Sequence, residues 1–470
     1  MLYRGRDFTA LLVVLVATLL AAPVLAEESD EDEGAPVFEI ELPDDEDDDA
    51  PGQVGQAVRL PQIDVIGRAR EELRAVPGSA TVVTEEELEQ TAPVSANEVL
   101  RAVPGVHVVE EDGAGLRPNI GIRGLNPDRS RNVLVLEDGV PIALAPYGEP
   151  ELYYAPSIER MRRIEVVKGS GSVLFGPQTI GGVINYITAD PPEDFTITAE
   201  ARGGNFGYYL GQAGVGDTMG AVGYRFDVIH QRFEGHRALN LQLTDVSTKL
   251  RFDLGEMSDL GVKLHFYDEF SNATYLGLTT PQFQNIPGGN FAIHDELPVR
   301  RYAGSATYNV VLNDNALLQT TIYSHNITRG WNRQDFDRDD QGRDYDRIID
   351  GAGQDITGTT VRPDDRSAIY FRDSMSSRNR AFTIGGIEPR LTLDYTLGMI
   401  DNELIIGTRF HYEHTREQRI DTPLASPADE TIRDEEVRQG TALAAYVQNR
   451  FLLLDERLRI SPGVRVESFW

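Results

Sequence analysis

The sequence predicts a small α+β domain followed by an antiparallel transmembrane β-barrel. Residues 59–190 mix helical and extended patterns with glycine-rich turns, whereas residues 195–470 form a long series of segments in which apolar residues alternate with polar residues or glycine. Alternation of this kind is typical of strands that have one face in lipid and the other in a polar lumen. The chain has no uninterrupted run of roughly 18 apolar residues, so we expect any membrane crossing to be made by strands.

Two segments precede the α+β domain. Residues 1–26 predict a signal peptide for export, because two arginines are followed by an apolar run and then by a cleavage-site pattern at 24–26. Residues 27–58 predict an acidic disordered linker, because the stretch from Glu27 to Ala57 has fourteen acidic residues, no Lys or Arg and little apolar material. We interpret this linker as a periplasmic tether, with a protein-binding acidic arm as the alternative.

The composition excludes several classes of function. The net charge of -31 argues against nucleic acid as a partner, because phosphate binding needs clustered cations. The absence of cysteine excludes disulfides, thiolate metal sites and cysteine nucleophiles, and the eight histidines show no metal-binding spacing. The acidic loop at 335–350 partly fits a calcium loop that begins at Asp337, but Ile348 occupies the position that needs a bidentate Glu. We therefore predict a solvated loop here and no metal site.

The α+β domain begins with a strand and a capped helix. Residues 81–84 predict the strand, and Thr84 is placed to cap a helix whose first turn is the acidic triplet 85–87. A second short helix is expected over 95–103, where Pro104 and Gly105 follow it. Further strands, which we expect to complete one small sheet, are predicted at 107–110, 119–122, 133–136 and 164–167.

The barrel region contains eleven alternating segments of about ten residues each. A lumen wide enough for a domain of roughly 130 residues, with a radius of gyration of ~14 Å, needs a barrel of about 22 strands. We therefore expect a partial barrel, about 11 of an expected 22 strands, with the chain stopping midway as a fragment or a truncated gene product. The eleven segments are 195–202, 207–215, 221–233, 246–254, 260–270, 302–312, 317–328, 381–395, 403–414, 441–453 and 458–469.

The connections between these segments alternate between short and long. The short turns at 313–315 and 455–456 are expected on the periplasmic side. The long connections at 276–301, 329–380 and 418–440 are expected to face outward.

Four motifs in the α+β domain resemble the plug domain of TonB-dependent outer-membrane receptors. They read IGIRGL at 120–125, VLVLEDGVP at 133–141, IEVVKG at 164–169 and GGVIN at 181–185. The resemblance implies a plug inside a barrel in the outer membrane of a Gram-negative bacterium, where such proteins import scarce nutrients, mostly chelated iron. It implies the TonB–ExbB–ExbD energy-coupling complex, outer-membrane lipid and lipopolysaccharide as partners, with the protein itself a monomer. It implies no enzymatic activity and no cofactor, since the ferric chelate is the transported ligand.

The segment QIDVIG at 62–67 resembles the TonB box, the strand that the energy coupler binds by edge-to-edge pairing. Its central residues are Ile63, Asp64, Val65 and Ile66. Backbone pairing of this kind needs only an exposed β-prone segment. Its place between a flexible leader and the plug suits that role.

Two further motifs, APYGEPEL at 145–152 and GPQTIGG at 176–182, are most similar to those of ferric dicitrate receptors. By this resemblance, Arg329, Arg380 and Arg433 fall where barrel arginines hold the anionic chelate. Tyr147 would lie at a loop apex that points into the lumen, and the alternative is that this segment only shapes a turn of the plug. Guanidinium forks suit the carboxylates of ferric citrate.

Glu149 and Ala114 depart from this pattern. The citrate receptors have an amide side chain where this sequence has Glu149, and a threonine where it has Ala114. A carboxylate directed at an anion is unfavourable unless it is paired or protonated. Glu149 could instead meet a cationic ligand, bind metal directly, or pair with Arg117 or Arg123.

These patterns predict a receptor that imports a ferric chelate of the ferric citrate type. The alternatives within transport are another siderophore, or a cobalamin-like or thiamine-like nutrient. A passive pore or adhesin that keeps the plug as a structural cork is the alternative outside active transport.

Overall fold

The computed structural model describes residues 78–112, 114–169, 173–358, 368–454 and 457–470. The predicted signal peptide, the acidic linker, the TonB-box segment from Ile63 to Ile66 and the turn at 455–456 lie outside these residues. All of the described residues belong to one unit of the chain. Within them, no helix has the length and apolar character needed to cross a membrane.

The first domain contains two short helices and seven strands. The N-terminal cap that the sequence predicts is present, because the Thr84 side chain accepts the Glu87 amide at 3.3 Å and the Glu87 carboxylate accepts the Thr84 amide at 2.9 Å. The elements are β1 (Ser79–Thr84), α1 (Glu85–Thr91), α2 (Ala96–Arg101), β2 (Val106–Val109), β3 (Asn119–Ile122), β4 (Val133–Glu137), β5 (Val140–Pro141), β6 (Met161–Lys168) and β7 (Gly182–Thr188).

The strands of this domain form two sheets, so the prediction of one small sheet is wrong. Five strands lie in the order β1-β6-β7-β4-β5, while β2 and β3 pair with each other in a separate ladder. The parallel pair β4 and β7 is buried along its whole length, which explains why their sequences are mostly apolar and do not alternate. Alternation and turn signals indicate strands, but they do not indicate which strands are partners.

The rest of the described chain forms one antiparallel sheet of 14 strands that resembles a partial barrel. A path of eleven neighbouring strands runs through it in the order β20-β19-β18-β17-β14-β13-β12-β11-β10-β9-β8, with β15 and β16 added to β17 and β21 added to β19. This path confirms the eleven segments that the sequence predicts. The strands are β8 (Thr196–Gly204), β9 (Tyr208–Met219), β10 (Val222–Phe233), β11 (Leu241–Asp253), β12 (Ser258–Phe270), β13 (Val299–Asn313), β14 (Ala316–Arg329), β15 (Asn332–Asp337), β16 (Arg347–Ile349), β17 (Ile369–Leu397), β18 (Ile400–Pro423), β19 (Thr431–Leu453), β20 (Leu458–Ile460) and β21 (Gly463–Phe469).

Two of the three predicted long loops contain strands instead. Strand β17 begins at Ile369. Strands β18 and β19 form an extended hairpin, in which β18 ends at Pro423 and β19 begins at Thr431. The sequence shows little alternation there because β19 is exposed on both faces over residues 431–439 and β18 is half-buried on both faces over residues 418–423. The hydrogen bonds between the two backbones continue even where the side chains do not alternate. The third connection, 276–301, contains only the short helix α3 (Thr280–Asn285) and no strand before Val299 among its residues.

The first domain packs against the sheet along nearly its whole width. One apolar core combines Ile120, Leu144 and Tyr154 of the first domain with side chains from five strands of the sheet. Contacts also reach both edges of the sheet, where Arg202 of β8 donates to the Pro93 carbonyl and Glu467 of β21 accepts from Tyr147. A sheet that touches one small domain from all these strands must curve around it. The core residues that the sheet contributes are Leu239, Leu241, Leu243, Tyr267, Leu297, Val299, Ile327 and Phe382.

Buried ion pairs fasten the two parts to each other. Arg160 of the first domain lies 3.1 Å from Asp245, and Lys263 of β12 lies 2.6 Å from Glu137. Burial opposes ionisation of the Glu137 carboxyl, but Arg160 and Lys263 outweigh it and hold the pKa of Glu137 well below its ordinary value. These charges are therefore retained, and separating the two parts would break the Arg160–Asp245 and Lys263–Glu137 pairs, while Arg160 and Glu137 would keep each other as partners.

Candidate anion-binding site

The segment 145–150, which we call the apex loop, is a tight turn of the first domain. Glu149 donates its amide to the Ala145 carbonyl at 2.8 Å and accepts the Ala145 amide at 3.2 Å. Pro146 and Pro150 restrict the backbone on both sides, and Gly148 is exposed at the tip. The turn places three consecutive residues, 147–149, against β17, β18, β19 and β21.

A carboxylate of the sheet binds the tip of the apex loop. Glu413 of β18 accepts the Tyr147 amide at 2.7 Å and the Gly148 amide at 2.9 Å. A β-carbon at residue 148 would lie 3.1 Å from the Glu413 carboxylate, so glycine permits this close approach. The turn is therefore held through its backbone by the sheet.

The Tyr147 side chain adds aromatic and polar contacts. Its ring stacks on Phe469 with a centroid distance of 5.5 Å and lies 5.3 Å from the His411 ring. Its hydroxyl donates to Glu467 at 3.2 Å. Burial, together with the charge of Glu467, raises the pKa of Tyr147 to about 12, so the hydroxyl remains a donor at neutral pH.

The Glu149 carboxylate lies between two arginines of the sheet. Arg380 of β17 donates to one of its oxygens, and Arg438 of β19 donates to the other at 3.1 Å. Arg380 also donates to Glu417 of β18 at 3.2 Å. Glu149 therefore meets neither of the partners that the sequence suggests. Arg117 pairs with Glu269 at 2.6 Å, and Arg123 donates to a backbone carbonyl.

Glu417 is the centre of a larger group of guanidinium groups. Besides Arg380, its carboxylate lies within ion-pair distance of Arg438 at 3.5 Å, Arg378 at 3.5 Å and Arg419 at 3.7 Å. Residues 378 and 380 are two apart on one strand, as are residues 417 and 419 on the next, so each pair lies on one face of the sheet. This face is the one that carries the buried Phe382 and meets the first domain.

Arg329 completes the group from β14. It lies directly opposite Arg380 in the strand register and is only 2% exposed. Its Nη2 donates to the Tyr153 hydroxyl at 3.0 Å, and its guanidinium lies 4.2 Å from the centroid of that ring. Its Nε and Nη1 are buried and have no hydrogen-bond partner among the described residues. Buried donors without partners are unfavourable, and an anion would satisfy them.

These five side chains, Arg329, Arg378, Arg380, Arg419 and Arg438, are called the arginine cluster below. The carboxylates in contact with them are Glu149, Glu417 and Glu436, the last at 3.3 Å from Arg438. Five guanidinium groups thus face three carboxylates, in a chain whose net charge is -31. A local surplus of positive charge in a partly buried site suits an anion.

The structure brings together four of the six substrate-binding residues that the sequence predicts: Arg329, Arg380, Tyr147 and Glu149. Arg433 lies apart from them, 69% exposed on β19, where it pairs with Asp421 at 3.9 Å. Ala114 is buried in the apolar core of the first domain, and its amide donates to Asp112 at 2.9 Å.

Sequence reasoning missed four members of this site: Arg378, Arg419, Arg438 and Glu417. Arg378, Arg419 and Arg438 lie in strand extensions that were expected to be loops, and Glu417 lies between the predicted strand 403–414 and the predicted loop 418–440, so their faces could not be assigned. The spacing by two within residues 378–380 and 417–419 is the signal that indicates a shared face once these segments are known to be strands.

Comparisons with known proteins relate both parts of the chain to one kind of receptor. Residues 72–183 match the TonB-dependent Receptor Plug Domain model. A stretch of 216 residues is 32% identical to the vitamin B12 transporter BtuB of Photobacterium profundum, covering 43% of this chain and 34% of that protein.

Solved structures extend the similarity to the sheet. The unliganded ferric citrate transporter FecA matches with a TM-score of 0.73 and 25% identity over 87% of this chain and 59% of its own. The closed form of the ferric-catecholate import receptor Fiu from E. coli K12 matches with a TM-score of 0.66 and 16% identity over 84% of this chain and 56% of its own. The chain thus spans little more than half the length of these receptors.

Proposed function

We propose that this chain, a relative of the TonB-dependent receptors by its plug domain and its sheet, takes part in the TonB-dependent import of a ferric chelate of the ferric citrate type across the outer membrane. The arginine cluster beside the apex loop is the observation that carries the proposal. The family consists of outer-membrane receptors and transporters, and its fold needs no covalent chemistry.

The chemistry of the cluster suits a compact carboxylate complex. A guanidinium group presents planar pairs of N–H donors that match the two oxygens of a carboxylate. In a partly buried site each such contact is stronger than in water, because the local dielectric constant is lower. Ferric citrate presents several carboxylates within one small anion, so it can engage several members of the cluster at once.

The rest of the chain supports transport rather than binding alone. The plug is fastened inside the curve of the sheet by apolar packing and buried ion pairs, so a ligand at the apex loop cannot pass until the plug rearranges. We propose that TonB, with ExbB and ExbD, supplies the force by pairing with residues 63–66. Residues 1–26 would direct export, and residues 27–58 would tether the coupling segment in the periplasm.

A titration series tests the cargo. The purified protein is titrated with ferric citrate, with iron-free citrate and with cyanocobalamin, each at two salt concentrations. We expect ferric citrate to bind most tightly and to weaken as salt rises, because charge pairs at the partly exposed members of the cluster are screened. Absence of ferric citrate binding at millimolar concentrations would reject this cargo.

A cobalamin-like cargo is the second candidate, since part of the chain is 32% identical to a vitamin B12 transporter. Cyanocobalamin carries amide groups and a single phosphodiester in place of a set of carboxylates. Its binding should therefore depend little on the arginine cluster. Tight binding of cyanocobalamin that is insensitive to salt would favour this candidate over the chelate.

A passive plugged pore or adhesin is distinguished by its energy requirement. Uptake of iron-55 as ferric citrate is measured in cells before and after the proton gradient is collapsed. Energy-coupled import should stop, whereas passage through a passive pore should continue.

A further inference from the structure

We propose that Glu149 is a built-in substitute for a ligand carboxylate, which holds the apex loop on the arginine cluster until a polycarboxylate ligand replaces it. This inference rests on the proposed function for the class of ligand. It makes Glu149 a residue that determines specificity and that couples ligand binding to the plug.

The geometry of Glu149 is that of a bound anion. Its two oxygens are taken by two different arginines, Arg380 from one strand and Arg438 from another. The Glu149 side chain is only 13% exposed. A carboxylate of a free ligand would be held in the same way, because guanidinium groups bind both oxygens of an anion through charge-assisted hydrogen bonds.

The contact joins two parts of the molecule that are far apart in sequence. Glu149 belongs to a turn of the plug, whereas Arg380 and Arg438 lie 231 and 289 residues further along the chain in the sheet. Loss of this contact would leave the apex loop bound by Glu413 and by the contacts of Tyr147. A ligand that takes the two arginines would therefore weaken the attachment of the plug to the sheet.

The surplus of charge argues that Glu149 does more than fix the turn. A purely structural pair would need no surplus of positive charge around it. Here Arg329, opposite Arg380 in the register, keeps two buried donor groups without a hydrogen-bond partner among the described residues even with Glu149 in place. The cluster therefore has capacity for more negative charge than Glu149 and Glu417 provide.

This arrangement selects for ligands with several carboxylates. An anion with one carboxylate could either satisfy Arg329 or displace Glu149. A polycarboxylate chelate could do both, so it would gain enough binding energy to offset the lost Glu149 contacts. Neutral or cationic chelates would gain nothing from the exchange.

The apex loop is connected to the plug sheet by backbone hydrogen bonds. Leu144 donates its amide to the Glu151 carbonyl at 3.0 Å, and Ile142 donates to the Val135 carbonyl in β4 at 3.1 Å. Movement of Glu149 would therefore reach β5 and β4 directly. Displacement of Glu149 by a ligand would therefore shift strands in the body of the plug.

The test compares Glu149→Gln with Glu151→Gln in the protein purified in detergent. Glu149 lies in the apex loop and Glu151 directly after it, each change removes one carboxylate charge, and both side chains are 13% exposed. Glu151 forms its ion pair with Arg131, and its charge reaches Arg329 and Arg380 only without a hydrogen bond among the described residues, so Glu151→Gln is the control for loss of charge without loss of the direct contact. Glutamine keeps the shape of the side chain, which limits any loss of folding.

The first measurement needs no ligand. Hydrogen exchange of the peptide that contains the Tyr147 and Gly148 amides is followed by mass spectrometry. We expect Glu149→Gln to accelerate exchange by about tenfold or more, because the apex loop opens more often, and Glu151→Gln to leave it unchanged. Equal exchange in the two variants would overturn the proposal.

The second measurement is the affinity for ferric citrate. If Glu149 competes with the ligand, Glu149→Gln should bind ferric citrate roughly 10-fold to 100-fold more tightly than the unchanged protein. The reason is that the ligand no longer has to break the charge-assisted hydrogen bonds between Glu149 and the two arginines. Unchanged or weaker binding in Glu149→Gln would overturn the competition. Accelerated exchange in Glu149→Gln, with no ferric citrate binding by the unchanged protein or either variant, would support the role of Glu149 in holding the apex loop and reject the proposed cargo.

Discussion

Arg329 of β14 and Arg380 of β17 lie directly opposite each other in the strand register, with like charges facing the plug from paired positions. Like charges in such positions are unfavourable by several tenths of a kcal/mol or more, about the size of a favourable cross-strand pair. Arg380 is compensated by Glu149 and Glu417, whereas the only hydrogen bond that Arg329 donates to a described side chain goes to Tyr153. We expect an arrangement of this kind, which costs stability and leaves donor groups unused, at a site that binds an anion.

Replacing Arg329 should separate binding from stability. In Arg329→Met the side chain keeps much of its packing on Tyr153 and Trp331 but loses the charge. We expect the affinity for ferric citrate to fall by roughly tenfold or more, with no loss of thermal stability, because an uncompensated buried charge is removed. Calorimetric titration and thermal unfolding of the same samples measure both quantities. Lower stability with unchanged affinity would show that Arg329 is structural.

The buried pair Arg117–Glu269 should fasten the plug to the sheet. The Arg117 and Glu269 side chains are 3% and 0% exposed and lie 2.6 Å apart. Glu269→Gln should destabilise the folded protein by about 3–5 kcal/mol, because it leaves the Arg117 charge buried and uncompensated. The double variant Arg117→Met/Glu269→Met should recover a large part of that loss. Thermal unfolding in detergent measures the stability of both variants. Lower stability of Arg117→Met/Glu269→Met than of Glu269→Gln would contradict the explanation.

Glu159 should make the stability of the plug depend on pH. Burial raises the pKa of Glu159 from an ordinary value of 4.5 to about 7. A carboxyl with a raised folded-state pKa contributes stability that is complete below its ordinary pKa and is lost as the pH rises through about 7. Glu159→Gln should therefore match the unchanged protein near pH 4.5 and exceed it in melting temperature near pH 8. An equal difference in melting temperature between Glu159→Gln and the unchanged protein at both pH values would contradict this effect of burial.

Deletion of residues 62–67 should abolish uptake while leaving ligand binding intact. These residues lie outside the described structure, and their proposed role is pairing with TonB. Accumulation of iron-55 in cells and binding to isolated outer membranes give the two readouts. Uptake that persists after the deletion would reject energy coupling through this segment.

The parts of the fold that were predictable are those set by local patterns. Thr84 and Glu87 form the expected cap because both residues lie within one turn of helix. The eleven-strand path follows from alternation, which the lumen and the outer face of the sheet impose on each strand.

The parts that were not predictable depend on pairing between distant segments. The extension of β19 is exposed on both faces and that of β18 is half-buried on both faces, so no alternation of apolar and polar residues marks the strands around Arg438 and Arg419. Glu149 finds Arg380 across 231 residues, a contact that no local spacing indicates. The same holds for β2 and β3, whose separation from the main plug sheet depends on tertiary packing alone.

The most direct test of the central claim is a titration of ferric citrate into Arg380→Ala and Arg433→Ala. Both changes remove one guanidinium group from the same end of the sheet. Arg380 contacts Glu149 and Glu417, whereas Arg433 is 69% exposed and lies apart from the arginine cluster. We expect Arg380→Ala to weaken binding by roughly 10-fold to 100-fold, because one or more charge-assisted hydrogen bonds are lost, and Arg433→Ala to bind as the unchanged protein does. Equal affinity of the two variants for ferric citrate would contradict this expectation.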